Sequence, residues 1–190
     1  LVTSVKRVLH TAFMPVATLA HPRVPFALVR WTGGSWQARL NGRWIPIARP
    51  GIQALEYYRT YIPRDGDVVY DVGGELGLET RQFVRLTGPA GQVHVFECNP
   101  AHLAGLESLR EGFPQVSVHP VACWNTRDTL RFHFGRTPGS GTLVEDVTGQ
   151  HGQALSDPEQ TPVDVTAAPL DDVWEANGGH EVDFLKMDIE

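Results

Sequence analysis

The sequence predicts an α/β domain built around a mostly parallel sheet. Three observations carry that expectation. Short β-branched runs alternate with helix-patterned segments between residues 67 and 123. The first run ends in an acid and a glycine-rich turn, DVGGELG at 71–77. The second ends in another acid, Glu97, just before Cys98, Asn99 and Pro100. Strand, helix, strand, helix, strand is a βαβαβ half, and right-handed crossovers place both helices on one face.

The elements follow in order. LVTSVKRVLHTAFMPVATLA is apolar, but Lys6, Arg7 and His10 interrupt it, so no 18-residue apolar run exists. It reads as an amphipathic helix on the domain or on a partner, without stable membrane insertion. Asn41-Gly42 between short alternating runs marks a hairpin over 36–47, with Pro46 suited to an edge strand. Residues 1–50 form a helix-and-hairpin extension, and 51–190 the main domain. Ile52, Leu55, Tyr58 and Ile62 share a helical face that Pro63 ends. A strand over 67–72 and a helix over 78–87, closed by Gly88-Pro89, come next. QVHVFEC (92–98) is the second strand, and Asn99 caps a helix running to about Glu111.

QVSVHPVAC (115–123) reads as the third strand and TLRFHF (129–134) as a short alternating one. Residues 135–162 are rich in Gly, Pro, Ser, Thr and Asp, and read as a long lid or substrate loop. A strand over 162–166, a helix over 169–177 and a fourth core strand over 182–190 complete the chain. A parallel sheet does not finish on the acidic tip of a central strand, so the domain is expected to continue past residue 190.

Composition bounds the function. One domain of 190 residues with 42% apolar side chains can fill a core. A net charge of −6 argues against a large phosphate-backbone surface, and nucleic acid is not expected as a partner. Cys98 and Cys123 are the two cysteines, neither in a CxxC pair, which fits a reduced, cytoplasmic setting. No histidine pair has zinc-site spacing, and no metal site is read. A homo-oligomer stays open.

The glycine turn lies where open parallel sheets bind ligands. Gly73, Gly74 and Gly77 permit close backbone approach, unusual dihedrals and tight helix–strand contact. The dinucleotide rhythm GxGxxG is not met, because Glu75 stands at its second glycine. A carboxylate is a poor neighbour for a pyrophosphate. S-adenosylmethionine carries an ammonium and a sulfonium instead, and suits an acid-flanked turn. Glu97 can accept both hydroxyls of a ribose, Asp71 can accept from the methionyl ammonium or fix the turn, and Ala122 leaves room for an adenine.

These residues resemble the FkbM-like family of S-adenosylmethionine-dependent methyltransferases. DVGGELG matches the family's first-strand turn at Asp71, Gly73 and Gly77 and departs from it at Gly74 and Glu75. ECNP matches at Glu97, Asn99 and Pro100, with Cys98 in place of a common proline. PLDDVW and DFLKMDIE resemble two later family elements, the second through Lys186, Asp188 and Glu190. The resemblance covers about residues 52–190. It implies a Rossmann-like class I methyltransferase fold, helices on both faces of the sheet, with S-adenosylmethionine across the strand ends. It also implies O-methylation of a small molecule such as a sugar or polyketide. Asp188 and Glu190 are then the catalytic candidates, with His133 beside the long loop as another base; Lys186 is expected to tune Asp188. Asp71, Gly73, Gly74, Glu75, Gly77, Glu97, Cys98, Asn99 and Ala122 are the donor-site candidates. Two alternatives stay open: a nucleotide-dependent oxidoreductase, and an inactive adenosyl-ligand-binding domain.

Overall fold

A computed structural model describes residues 19–21, 24–32, 35–40, 42–47, 57–58, 61–136, 140–143 and 156–189. The N-terminal part is an antiparallel sheet in the order β1-β2-β3-β4: Leu19–His21, Val24–Thr32, Ser35–Leu40 and Arg43–Ile47. The expected hairpin is β3–β4, closing from Trp36↔Ile47 to Leu40↔Arg43. Gly42 turns it with φ +81°, a conformation open to glycine.

The parallel sheet runs β12-β5-β6-β7, from β5 (Val68–Val72), β6 (Gln92–Phe96), β7 (Val116–His119) and β12 (Phe184–Met187). Helices α1 (Leu78–Thr87) and α2 (Pro100–Gly112) supply the two crossovers. Asn99 caps α2 by accepting from the Ala101 N–H at 3.0 Å, as its position before Pro100 predicts. The valine-rich strands are buried on both sides, as a covered parallel sheet requires. Val69, Val93, Val95 and Val116 pack with Phe83 and Val84 of α1 and Leu106 of α2. Val29, Ala38, Ile45 and Ile47 of the antiparallel sheet join this same cluster. On the alternate side chains, Tyr70, Val72 and Phe96 meet Leu170, Val173 and Trp174 of helix α3 (Leu170–Ala176).

Several readings change. The third strand is not continuous. It breaks at Pro120, which has no N–H for a ladder, into β7 and β8 (Ala122–Cys123). β8 leaves the parallel sheet and joins a third one, ordered β10-β9-β11-β8, with β9 Asp128–Phe134, β10 Gly141–Thr142 and β11 Val163–Ala168. That sheet is mixed: β11 runs parallel to β8 but antiparallel to β9. The strands are therefore less uniformly parallel than expected. The long segment after residue 134 contributes β10 and a bridge between Gly135 and Ser156. Residues 137–139 and 144–155 lie outside the described residues, as do the predicted N-terminal helix and most of the helix read over 52–62.

The face formed by Tyr70 and Phe96 also carries two histidines. His94 Nδ1 and His119 Nε2 are 3.0 Å apart, with the rings stacked. Tyr70 tilts against His94, Gln92 Oε1 lies 3.4 Å from its Nε2, and Phe96 stacks on His119. Two such nitrogens share one proton, and a second would set N–H against N–H. Burial, then the neighbouring His119 and His180, hold the His94 pKa down to about 4. Burial lowers that of His119 too. An unfolded histidine titrates near 6.5. Below that pH the unfolded chain takes up a proton the folded chain refuses, so stability falls as pH drops from about 6.5 towards 4. Thermal unfolding should show the midpoint falling over that window. His94→Gln should show a shallower fall, and equal slopes would disprove the assignment.

Candidate functional site

The turn after β5 is fastened from below by buried charges. Asp71 is fully buried. Its Oδ2 accepts from Thr80 Oγ1 at 2.6 Å, and its Oδ1 lies 3.1 Å from Lys186 Nζ. Lys186, on the adjacent β12, also donates to the Gly73 carbonyl at 2.7 Å. Burial raises the Asp71 pKa, and Lys186 opposes that rise. Asp71 thus fixes the turn and is enclosed beneath it, away from the cavity above. Lys186 is committed to Asp71, which corrects the expectation that it tunes Asp188.

Glycine is required in this turn by packing. A Cβ on Gly73 would stand 2.1 Å from the Asp188 carbonyl oxygen, and its φ is +78°. A Cβ on Gly74 would meet Val95 Cγ2 at 2.1 Å. Gly77 has φ +72° and approaches Leu106 and Leu109 of α2. Only Gly73 of the three borders the cavity. Gly74 and Gly77 bring strand and helix together rather than backbone to ligand.

Above the turn, a cavity of about 190 Å³ opens at the carboxyl ends of β5 and β6. Gly73, Glu75, Glu97, Cys98, Asn99, Ala122 and Asp188 all line it, so seven predicted residues from four segments converge. Glu97 is buried at its wall. One carboxylate oxygen accepts from the Asn99 N–H at 2.6 Å, the other from the Glu75 N–H at 2.9 Å, with His102 Nδ1 at 3.6 Å. Glu75 has φ +46°, the only positive φ outside glycine among the described residues. Its N–H is thereby aimed at Glu97. Burial is the main cause that pushes the Cys98 thiol up to about 12 and Cys123 to about 11, so both stay protonated at neutral pH.

Asp188 follows β12, and its N–H donates to the Val72 carbonyl at 3.0 Å. Its Oδ2 accepts from Tyr57 Oη at 2.6 Å. Partial burial and this carboxylate raise the Tyr57 phenol above its ordinary pKa, so it remains a donor. Tyr57 lies in the segment before the first strand of the parallel sheet, next to the Tyr58 read on its helical face. His133 was read as a further base beside the long loop. It does not line the cavity, whereas its neighbour Phe132 does, and successive strand residues point to opposite faces. Glu190 lies outside the described residues. Trp124 and Phe132, which the sequence did not single out, also line the cavity. Ser140 to Leu143 line it too, from the segment read as a lid or substrate loop. Asp172 accepts from Arg127 Nε at 2.5 Å, and Pro169 holds the cap position of α3.

An acid-ended glycine turn, a second-strand acid and a cavity over the strand ends form a candidate ligand site. Residues 71–190, more than half of the chain, match the family described as the methyltransferase FkbM domain, and the chain belongs to that family. Among solved structures it is similar to the methyltransferase FkbM from Methylobacillus flagellatus, at 15% identity and TM-score 0.43, over 70% of this chain and 29% of that one. It is also similar to Aeropyrum pernix fibrillarin in complex with natively bound S-adenosyl-L-methionine, at 18% identity and TM-score 0.36, over 55% and 57% of the two chains. The chain thus spans less than a third of the Methylobacillus protein. No curated protein matches it.

The Asp71–Lys186 pair yields a stability prediction. Lys186→Met strands a buried carboxylate and should cost about 3–5 kcal/mol. Adding Asp71→Asn to it should recover part of that loss in denaturant unfolding. No recovery would mean that Lys186 stabilises through its Gly73 contact alone.

Proposed function

We propose that the chain binds S-adenosylmethionine in this cavity and transfers its methyl group to the hydroxyl of a small molecule, such as a sugar or polyketide. One observation carries the reading. The charged side chains lining the cavity are Glu75, Glu97 and Asp188, all acidic, with no lysine or arginine among the described lining residues. Such a cavity favours a ligand bearing an ammonium and a sulfonium, and disfavours the pyrophosphate of a nicotinamide dinucleotide. This weighs against the oxidoreductase alternative.

The donor set fits the cofactor. A carboxylate offers about four lone-pair sites, and backbone N–H groups occupy two on Glu97. The others remain for the two ribose hydroxyls. Ala122 and Cys98 give a small, apolar wall for an adenine. Glu75, exposed at the cavity edge, is placed to hold the methionyl ammonium, a role the buried Asp71 cannot fill. In the same reading the parallel sheet is the centre of a Rossmann-like class I fold with helices on both faces. α1 and α2 cover one face, and the α3 side chains support a helix on the other.

The donor supplies an activated methyl group, so the protein's task is chiefly to position the acceptor oxygen in line with the methyl–sulfur bond. Asp188 stands at the cavity mouth with its rotamer fixed by Tyr57. In the proposal it orients the acceptor hydroxyl and receives its proton. His133 takes no part.

Two measurements test this. Glu97→Ala should weaken S-adenosylhomocysteine binding roughly 10- to 150-fold, the worth of a hydrogen bond to a charged group. Unchanged affinity by calorimetry, or tighter binding of NAD than of the methyl donor, would overturn the cofactor reading. Asp188→Asn should lower turnover on an accepted hydroxyl substrate by about 10²–10⁴, in the range of general-base catalysis, with donor affinity nearly kept. An equal fall in both would reduce Asp188 to a structural role.

A further inference from the structure

The net charge of −6 conceals a segregation. Residues 1–50 contain seven lysines and arginines and no aspartate or glutamate. Residues 51–190 contain nine basic and 22 acidic side chains, a balance of −13. Every acid of the chain therefore lies outside the N-terminal part. Within that part, the antiparallel sheet has two unlike faces. Val29, Ala38, Ile45 and Ile47 face the core. The opposite face carries Arg30, Gln37, Arg39 and Trp44. Arg39 and Trp44 are direct cross-strand partners, and the Arg30 guanidinium lies 3.8 Å over the Trp44 ring. Arg30 also donates to Gln37 Oε1 at 3.0 and 2.8 Å. Its partners are thus a neutral amide and an aromatic face, and neither cancels its charge. Arg39 is exposed on this face, whereas Arg43, paired with Leu40, falls on the side of Ile45 and Ile47.

We propose that this face docks on an anionic lipid surface, independently of the methyl-donor reading. Charge complementarity requires an anionic partner. The choice of a lipid rests on what accompanies the charge. Twelve of residues 1–20 are apolar and none is acidic, with Lys6 and Arg7 among them. A segment of that composition can place its apolar side chains in hydrocarbon and its cations at phosphate, which a headgroup layer offers and a nucleic acid does not. Trp44 beside arginines is suited to the same interface, where its amphipathic ring sits at headgroup level. The association is peripheral: no helix among the described residues is long and apolar enough to cross a membrane.

The test is co-sedimentation of the chain with vesicles of phosphatidylcholine alone, and of phosphatidylcholine mixed with phosphatidylglycerol. Binding should require phosphatidylglycerol and decline as salt rises. Arg30→Gln with Arg39→Gln should weaken it roughly thirtyfold, from two cations near the surface. Arg39→Gln alone should give about a fivefold loss if the double variant fails to fold by circular dichroism. Calorimetry with S-adenosylhomocysteine on the same preparations keeps the donor reading separate, since the variants leave the cavity intact. No binding to the mixed vesicles, equal binding to both kinds, or unchanged binding by the variants would overturn the proposal. Tighter, salt-sensitive binding to RNA or DNA than to the mixed vesicles would overturn it in favour of a nucleic-acid partner.

Discussion

The buried pair of Asp71 and Lys186 is the interaction on which the site depends. Neither group can hold its charge in the core without the other. Replacing such a pair by apolar side chains often leaves stability unchanged, so net stabilisation is a weak reason for keeping it. Its position gives a better one. Asp71 ends β5, Thr80 lies in the first turn of α1, Lys186 sits on β12, and the Gly73 carbonyl belongs to the turn itself. Three elements and one loop meet at a single ion pair. The close approach of Gly73 to the Asp188 backbone follows from it, and so does the placement of Asp188 at the cavity.

The turn is held from its other side by Glu97. Keeping Glu75 at positive φ costs on the order of 1–3 kcal/mol, and the Glu75 N–H bond to Glu97 offsets part of that. The arrangement leaves the Glu97 carboxylate oriented by two backbone donors before any ligand arrives. Such pre-orientation lowers the entropy lost when a further donor, such as a hydroxyl, binds. The acid at the end of β6 and the distorted residue in the turn are thus two halves of one device. Glu75 is tolerated in place of a more permissive residue because its amide has a partner there.

The βαβαβ core was legible because its signals are local. Valine runs give the strands, Asn99-Pro100 starts α2, and Asn41-Gly42 turns the hairpin. Glu97, Asn99 and Asp188 could be placed at the cavity because strand ends converge wherever a parallel sheet forms. What escaped was nonlocal. An acid at a strand end looks like a ligand group; that Asp71 is buried follows only from Lys186, near the other end of the chain. The glycines looked like room for a ligand, yet Gly74 and Gly77 are fixed by Val95, Leu106 and Leu109. His133 failed because period-two alternation leaves its phase open until the pairing of β9 with β11 sets which side faces the cavity. The segment from Ser140 to Leu143 was legible as a loop at the site but not as a strand, since β10 is only two residues in a polar stretch.

The acidity of the cavity bears on turnover as well as on binding. Methyl transfer removes the sulfonium charge from the donor and leaves a neutral thioether. In the proposed function, Glu75, Glu97 and Asp188 would attract the donor more strongly than the product, while ribose and adenine contacts would serve both equally. Contacts common to both would hold the ligand, and the carboxylates would supply the difference that lets fresh donor displace spent product. A cavity lined by arginine or lysine would reverse that preference. With Lys186 paired to Asp71 beneath the turn, no lysine or arginine among the described residues lines the cavity to offset its carboxylates.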